Sequence, residues 1–423
     1  MGLVVQGNVV HVDHDNKEWL KTTPHGNPTT EVVEGLTVYC LFKRLLASRK
    51  SRRKHRNNIP GDNCPIIYAL KGKDNLTTNI SSIKKLEKLL SDYIVWHDVL
   101  KRVVIFSVLA TCLFLFLLVL DNKHQTASAP LSQDWSSKSF KAISIKNSTN
   151  TLSVTPVVNY YGERGFATES GVSYLIQTDE HTILFDLGHN HKELLVSPLE
   201  QNLERLGVAP KDLDAIFISH FHRDHIGGRV WEDKNSIGFG FNQPALENTS
   251  IFAPVPLTYP GVNINVIREP KPLFNALAST GPIPRQLVLG KIDEQALVIN
   301  VKNKGLVVIV GCGHQTLNKL ISHIDKYFDV PLYGLIGDVH LPLEQGRLHI
   351  AGIDIQRRLA SGEGLFSPID KQDVLNDINL MSRKLKMVAL GTHDTSDKSL
   401  LLVEKEFTGE LKSVRVGKKI TIN

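Results

Sequence analysis

Apolar residues are arranged along this chain in two unlike ways. Val103 to Leu120 (VVIFSVLATCLFLFLLVL) is 18 residues without a charge, close to the ~20 that a helix needs to cross the hydrocarbon core of a bilayer. A signal peptide would start within the first few residues, and this run starts after a hundred, so it predicts a membrane span rather than a cleaved leader. A buried core helix is the bland alternative. From about Phe140 the pattern changes to short apolar runs rich in Val, Ile and Leu, punctuated by Gly, Asn and Pro: Tyr174–Ile176, Thr182–Phe185, Ala215–Ser219, Gly305–Val310, Leu332–Ile336 and Met387–Leu390. Helical stretches lie between them at Glu193–Leu206, Leu317–Phe328 and Val374–Leu385. This alternation predicts one α/β domain of two packed sheets with outer helices.

Charge divides the chain at the same place. Residues 1–102 carry 17 Lys/Arg against 10 Asp/Glu, leaving 32 against 33 in the remainder. Lys43–Arg56 (KRLLASRKSRRKHR) packs eight basic residues into 14 positions, and Lys101 and Arg102 abut the apolar run. The positive-inside bias therefore predicts a cytoplasmic N-terminal region and an exported C-terminal domain, periplasmic or extracellular. The basic run is read first as a topology determinant; binding to anionic lipid or nucleic acid is the alternative. Residues 121–136 (DNKHQTASAPLSQDWS) are polar and small and read as a linker. Four scattered cysteines without a CxxC pair suggest neither a zinc knuckle nor a disulfide framework. The cluster His11-Val-Asp13-His14 reads as loop, and His189, His191, His323 and His349 as surface or structural residues.

The chemistry concentrates at Ala215-Ile-Phe-Ile-Ser-His220-Phe-His222-Arg-Asp224-His225-Ile-Gly227-Gly228. An apolar strand runs directly into three histidines and a carboxylate, the ligand types that Zn²⁺ or Fe²⁺ takes at about 2.0–2.2 Å. Residues two apart on an irregular turn can both face one ion, and the paired glycines allow a tight turn. Other candidates also follow apolar runs: Asp186-Leu-Gly188, Gly311-Cys-Gly-His314, Gly337-Asp338-Val-His340 and Gly391-Thr-His393-Asp394.

The H-x-H-x-D-H loop and these strand-end groups, in this order, resemble the metallo-β-lactamase superfamily over residues 137–423. The resemblance implies a four-layer αββα sandwich with a metal-activated hydroxide between its halves. Carried over residue by residue, it implies that His220, His222 and His314 hold one ion and Asp224, His225 and His393 a second, with Asp186 supporting the histidine loop from beneath. Two zinc ions are the expectation, with iron or manganese as alternatives. GCGH, IGDVHL and GTHDTS, together with Thr280-Gly-Pro-Ile-Pro-Arg285, are similar to a subgroup related to the dihydropterin ribofuranosyl-aminobenzene phosphate synthases. In those relatives the IGDVHL position reads IGG-x-HL, so His340 matches the pattern while Asp338 stands where a glycine is expected. Either residue could touch metal; Asp338 is taken as a bridging carboxylate and His340 as a neighbour of the ions that handles substrate or leaving group.

These residues imply a membrane-anchored metal-dependent hydrolase acting on a small molecule, with Asp224 orienting the nucleophile or passing a proton to the leaving group. The superfamily serves several bond types at similar sites, so the substrate cannot be read. A mononuclear iron oxygenase, as in persulfide dioxygenases with the same H-x-H-x-D-H loop, is the first rival. A non-catalytic ligand-binding sensor is the second. No nucleic acid is expected at the catalytic domain, which is charge-balanced and lacks a basic groove signal.

Overall fold

The runs Ser173–Gln177, Thr182–Phe185 and Ala215–Phe217 are apolar at almost every position, as strands must be when both faces of their sheet are covered. A computed structural model describes residues 3–5, 8–10, 77–344, 346–347, 349–350 and 352–423. They form two compact units, Met1–Cys112 and Leu113–Asn423. In the first, Leu3–Val5 and Asn8–Val10 pair as an antiparallel hairpin. The basic run Lys43–Arg56, the His11–His14 cluster, Cys40 and Cys64 lie outside the described residues.

The second unit holds two seven-stranded mixed sheets. One runs Ile420–Ile422, Leu152–Val158, Ser173–Gln177, Thr182–Phe185, Ala215–Phe217, Ser250–Ala253, Ile264–Val266; the other runs Glu410–Ser413, Met387–Leu390, Leu332–Gly337, Gly305–Val310, Leu297–Val301, Leu277–Ser279, Lys271–Phe274. Successive side chains on a strand point to opposite faces, so each strand supplies two cores. Tyr174, Ile176, Phe185 and Phe217 of the first sheet meet Leu297, Ile299, Val307, Ile309 and Ile336 of the second in the middle layer. Leu175, Leu184 and Ile216 face the other way, against Leu199 and Leu203 of the helix Pro198–Arg205. Val308, Val310, Leu335 and Val388 pack against the helices Leu317–Tyr327, Lys371–Lys384 and Asp397–Glu406. The result is the expected helix–sheet–sheet–helix layering.

Register brings the chemistry to one edge. Phe185 lies beside Phe217, and Val310 beside Gly337 beside Leu390, all in parallel pairs. The loops carrying Asp186, His220, His314, His340 and His393 therefore leave their sheets level with one another. Gly391 is fixed by its neighbour, because a Cβ there would overlap the Asp338 carboxylate.

Two expectations change in detail. The helix foreseen from Glu193 starts at Pro198, since Ser197 accepts the Glu200 N–H, Glu200 returns to the Ser197 N–H, and proline suits the first helical turn. Residues 121–136, read as a polar linker, are helical, inside one helix spanning Thr77–Ser137. Tertiary contacts hold that polar stretch in place: Asp121 Oδ1 accepts the Leu365 N–H at 2.9 Å, Gln125 donates to the Glu363 carbonyl at 2.6 Å, and Trp135 packs on Phe140 and His323. The segment Ser91–Ser137 is long and apolar enough to cross a membrane, and the side chains of its most apolar stretch are exposed.

Candidate metal centre

The strand Thr182–Phe185 ends in Asp186, held at φ 56°, a left-handed conformation that Asp tolerates better than most residues. Its buried carboxylate takes three donors: the Ser219 N–H and Oγ–H and the His225 Nδ1–H, each at 2.7 Å. Ser219 Oγ, having donated to Asp186, accepts from His220 Nδ1 at 2.9 Å. One carboxylate thus fixes the tautomer of two histidines, leaving both Nε2 lone pairs free for a ligand. These nitrogens are aimed at common neighbours. His220 Nε2 lies 3.1 Å from His222 Nδ1, and His225 Nε2 lies 2.9 Å from Cys312 Sγ.

The second sheet completes the cluster. His314 stacks edge-on to His220 and His222, with ring centroids 5.0 and 5.1 Å away, and lies 4.9 Å from His340. His393 Nε2 is 2.9 Å from Asp224 Oδ2, and its Nδ1 is 3.1 Å from Ser170 Oγ. His340 Nδ1 and Asp394 Oδ2 are 3.3 Å apart. Ligand atoms within 4.8 Å of one another form overlapping groups: His220, His222 and His314; Asp224, His225 and His393; His220, His225 and Cys312; Cys312, His393 and Asp394; His314, His340 and Asp394.

Asp338 is absent from these groups. Its Oδ1 accepts the N–H of His393 at 2.8 Å and of Asp394 at 3.1 Å, while Oδ2 accepts from Tyr174 at 2.9 Å and Asn159 at 3.0 Å. Four donors occupy both oxygens. The expected bridge is therefore a buried strut, and Asp394, which it positions, is the carboxylate that faces the histidines. Cys312 and Asp394 stood inside motifs read for their histidines, so the signal was present and unused. Glu294 had no motif: its carboxylate receives the N–H groups of Cys312, Gly313 and His314 at 3.0, 2.9 and 2.7 Å, shaping the loop that presents His314.

The donor set suits a divalent cation. Both His314 nitrogens, both His340 nitrogens and Asp394 Oδ2 are buried without a hydrogen-bond partner among the described residues, and buried polar atoms rarely stay unpaired. Nitrogens around a tetrahedral zinc are about 3.3 Å apart, close to the 3.1 Å between His220 and His222. Burial, with His225 and His222 beside it, holds His220 well below the ordinary histidine range; burial and His340 do the same for His314. Both are therefore neutral, the state a ligand requires. Burial opposes charge on His393 too, but Asp394 and Asp224 outweigh it and push that imidazole up to about 10. Burial alone lifts Glu294 to about 7, against the pull of its three backbone donors.

A cavity of about 740 Å³ lies over the cluster. His222, Asp224, His314, His340, His393 and Asp394 line its floor, and Val230, Phe241, Ile355 and Leu359 are in its wall. His189 and His191, expected as surface or structural residues, also line it.

Residues 168–231, which contain Asp186 and the whole histidine loop, match the Metallo-beta-lactamase superfamily. That stretch of the chain is similar to the superfamily. Over 218 residues, 42% of this chain and 72% of the relative, it is 23% identical to 7,8-dihydropterin-6-methyl-4-(β-D-ribofuranosyl)-aminobenzene-5'-phosphate synthase of Methanocaldococcus jannaschii. Two solved structures are similar to this chain over about two thirds of its length. One is a metal-dependent hydrolase of the β-lactamase superfamily, 18% identical, TM-score 0.43, covering 64% of this chain and 99% of the other. The second is the metallo-β-lactamase fold protein YhfI of Bacillus subtilis, 16% identical, TM-score 0.42, covering 64% and 100%.

Proposed function

We propose that residues 137–423 are a metal-dependent hydrolase acting on a small molecule and held in a membrane by Val103–Leu120, with the N-terminal region cytoplasmic and the catalytic domain exported. The observation that carries the chemistry is His314: a buried imidazole with neither nitrogen hydrogen-bonded, beside His220 and His222. His220, His222 and His314 would hold one zinc ion and Asp224, His225 and His393 a second, with Asp394 in the role first given to Asp338. Metal bound there supplies a water whose pKa falls from ~15.7 towards ~7 and a Lewis acid for the scissile group.

The remaining steps belong to the chain's own residues. Asp186 and Ser219 hold His220 and His225 in the tautomer that points Nε2 inward. Asp224, close to His393 Nε2, accepts a proton from the nucleophile or orients it. His340, paired with Asp394 and facing the cavity, is placed to give a proton to the leaving group.

The test is metal analysis of the purified full chain together with turnover of nitrophenyl phosphodiester, lactone and lactam substrates. About two equivalents of zinc with hydrolysis of one class supports the reading. A single iron with oxygen uptake would replace it with an oxygenase, and a metal-free protein that hydrolyses nothing would replace it with a binding domain. Protease added to right-side-out vesicles should digest the C-terminal domain; protection there, with a digested N-terminus, reverses the topology.

A further inference from the structure

We infer that the cavity over the metal centre takes an amphiphile from the membrane, a substrate with a hydrolysable polar head and a long apolar tail. This rests on the anchored-hydrolase reading above and adds the substrate class.

The first ground is where the wall of the cavity is tied. Ile355, Gln356, Leu359 and Ala360 line the cavity and belong to one short helix, Ile355–Ala360. The loop that follows it docks on the helix emerging from the apolar span. Glu363 accepts from Gln125 through its carbonyl at 2.6 Å, and Leu365 donates its N–H to Asp121 at 2.9 Å. Gly364 permits the approach, since a Cβ there would come within 2.8 Å of Asp121 Oδ1 and 2.9 Å of Gln125 Nε2. Asp121 is the first residue after the span. From Leu120 to Gln125 the helix rises about 8 Å, and from Ala360 to Glu363 the chain covers at most about 11 Å. With the reach of the Gln125 side chain and its hydrogen bond added, one wall of the cavity is thereby held within about 30 Å of the hydrocarbon boundary.

The second ground is the character of that wall and its surroundings. Phe241, Val230, Ile355 and Leu359 add apolar lining to a cavity that is otherwise charged and polar at the candidate ligands. Phe241 is 41% exposed, and the residues flanking cavity-lining positions in sequence are large, apolar and open: Leu195 at 82%, close to Glu193, and Ile353 at 53%, close to Ile355. Phe366, next to the docking loop, is exposed as well. Exposed large apolar residues are the kind of group that a ligand or membrane contact covers. A water-soluble metabolite gains little from the apolar cavity residues Val230, Phe241, Ile355 and Leu359, whereas an acyl chain is covered by them.

A photolabel tests this on the full chain in phosphatidylcholine vesicles. The probe is a palmitoyl lysophosphatidylcholine with a diazirine in its tail. Illumination should label Val103–Leu120 and also peptides containing Phe241 and Ile355–Phe366. Phe241→Glu should cut wall labelling about tenfold, because a charge is costly to bury against a tail, and should leave span labelling unchanged. Label on the span without label on the wall overturns the inference while the anchor stands. Label on neither overturns the anchor together with the inference. Wall labelling in a protein that hydrolyses no substrate class removes the hydrolase reading and leaves amphiphile binding intact.

Discussion

Two layers of buried polar residues lie at the same edge of the sheets, and they differ in whether the protein completes their hydrogen bonds. In the lower layer, Asp186 and Asp338 are fully engaged and Glu294 receives three N–H groups; away from it, in the helix Leu317–Tyr327, His323 likewise has its ring nitrogen 2.9 Å from the Thr280 carbonyl. In the upper layer, His314 is equally buried with neither ring nitrogen hydrogen-bonded among the described residues, while His340 Nδ1 and Asp394 Oδ2 face each other at 3.3 Å and make no hydrogen bond there. Burial is the same in both, so it does not identify function. Satisfaction does: the lower layer gives the fold its rigidity, and the upper layer has its lone pairs free for something from outside.

The comparison breaks most visibly at His314 and His222. In the proposed reading, replacing either by alanine removes a ligand while leaving the lower layer of hydrogen bonds intact. Turnover should fall by 10³ or more, about 4 kcal/mol, and bound metal should drop by about one equivalent on elemental analysis. A His314→Ala protein with full metal content would show that the unpartnered imidazole is a packing residue.

Asp338 against Asp394 sharpens it further. Asp338→Ala strips four donors of their acceptor inside the protein, two of them backbone N–H groups of the loop that carries His393 and Asp394. That should cost about 3 kcal/mol and lower the melting temperature by roughly 10 °C. Asp394→Asn should instead melt close to the parent and lose turnover by about 100-fold, some 2.7 kcal/mol. The opposite pattern, a stable Asp338→Ala protein short of metal, restores Asp338 as a ligand.

The reason sequence could not decide between Asp338 and Asp394 is geometric. The strands, their order of appearance and the histidine loop are legible because hydrophobic runs and a dense H-x-H-x-D-H string are local patterns. Which of two carboxylates faces the metal depends on how the Gly337–His340 and Gly391–Asp394 loops lean on each other, and on Asn159 and Tyr174 from the opposite sheet. No local pattern records that. Glu294 was invisible for the same reason, since it ends the strand Gly290–Glu294 with no motif around it and acts only through backbone groups 18 to 20 residues away. The helical character of residues 121–136 escaped because their composition is that of a tether, while Asp121, Gln125 and Trp135 are held by contacts from distant parts of the chain.

The smallest effect tests, through pH, a buried histidine whose hydrogen bond the protein does complete. His323 is buried within the helix Leu317–Tyr327, nine residues beyond the unpartnered His314 and near Trp135, Phe140 and Tyr327. Burial, helped by Lys326, brings its imidazole down to about 4 against the pull of the Thr280 carbonyl. An unfolded histidine titrates near 6.5, so between about 4 and 6.5 the unfolded chain holds a proton that the folded chain does not. Stability from this residue is therefore complete above about pH 6.5 and declines as pH falls towards 4. From pH 7 to pH 5 the loss should be about 2 kcal/mol, or roughly 5 °C in melting temperature. His323→Gln removes the titration, so its melting temperature should change less between the two pH values than the parent's, whatever its absolute stability. Parallel slopes for parent and variant would mean that His323 carries its proton in the folded state at pH 5, and the helix Leu317–Tyr327 would then bury a charge faced by the Thr280 carbonyl.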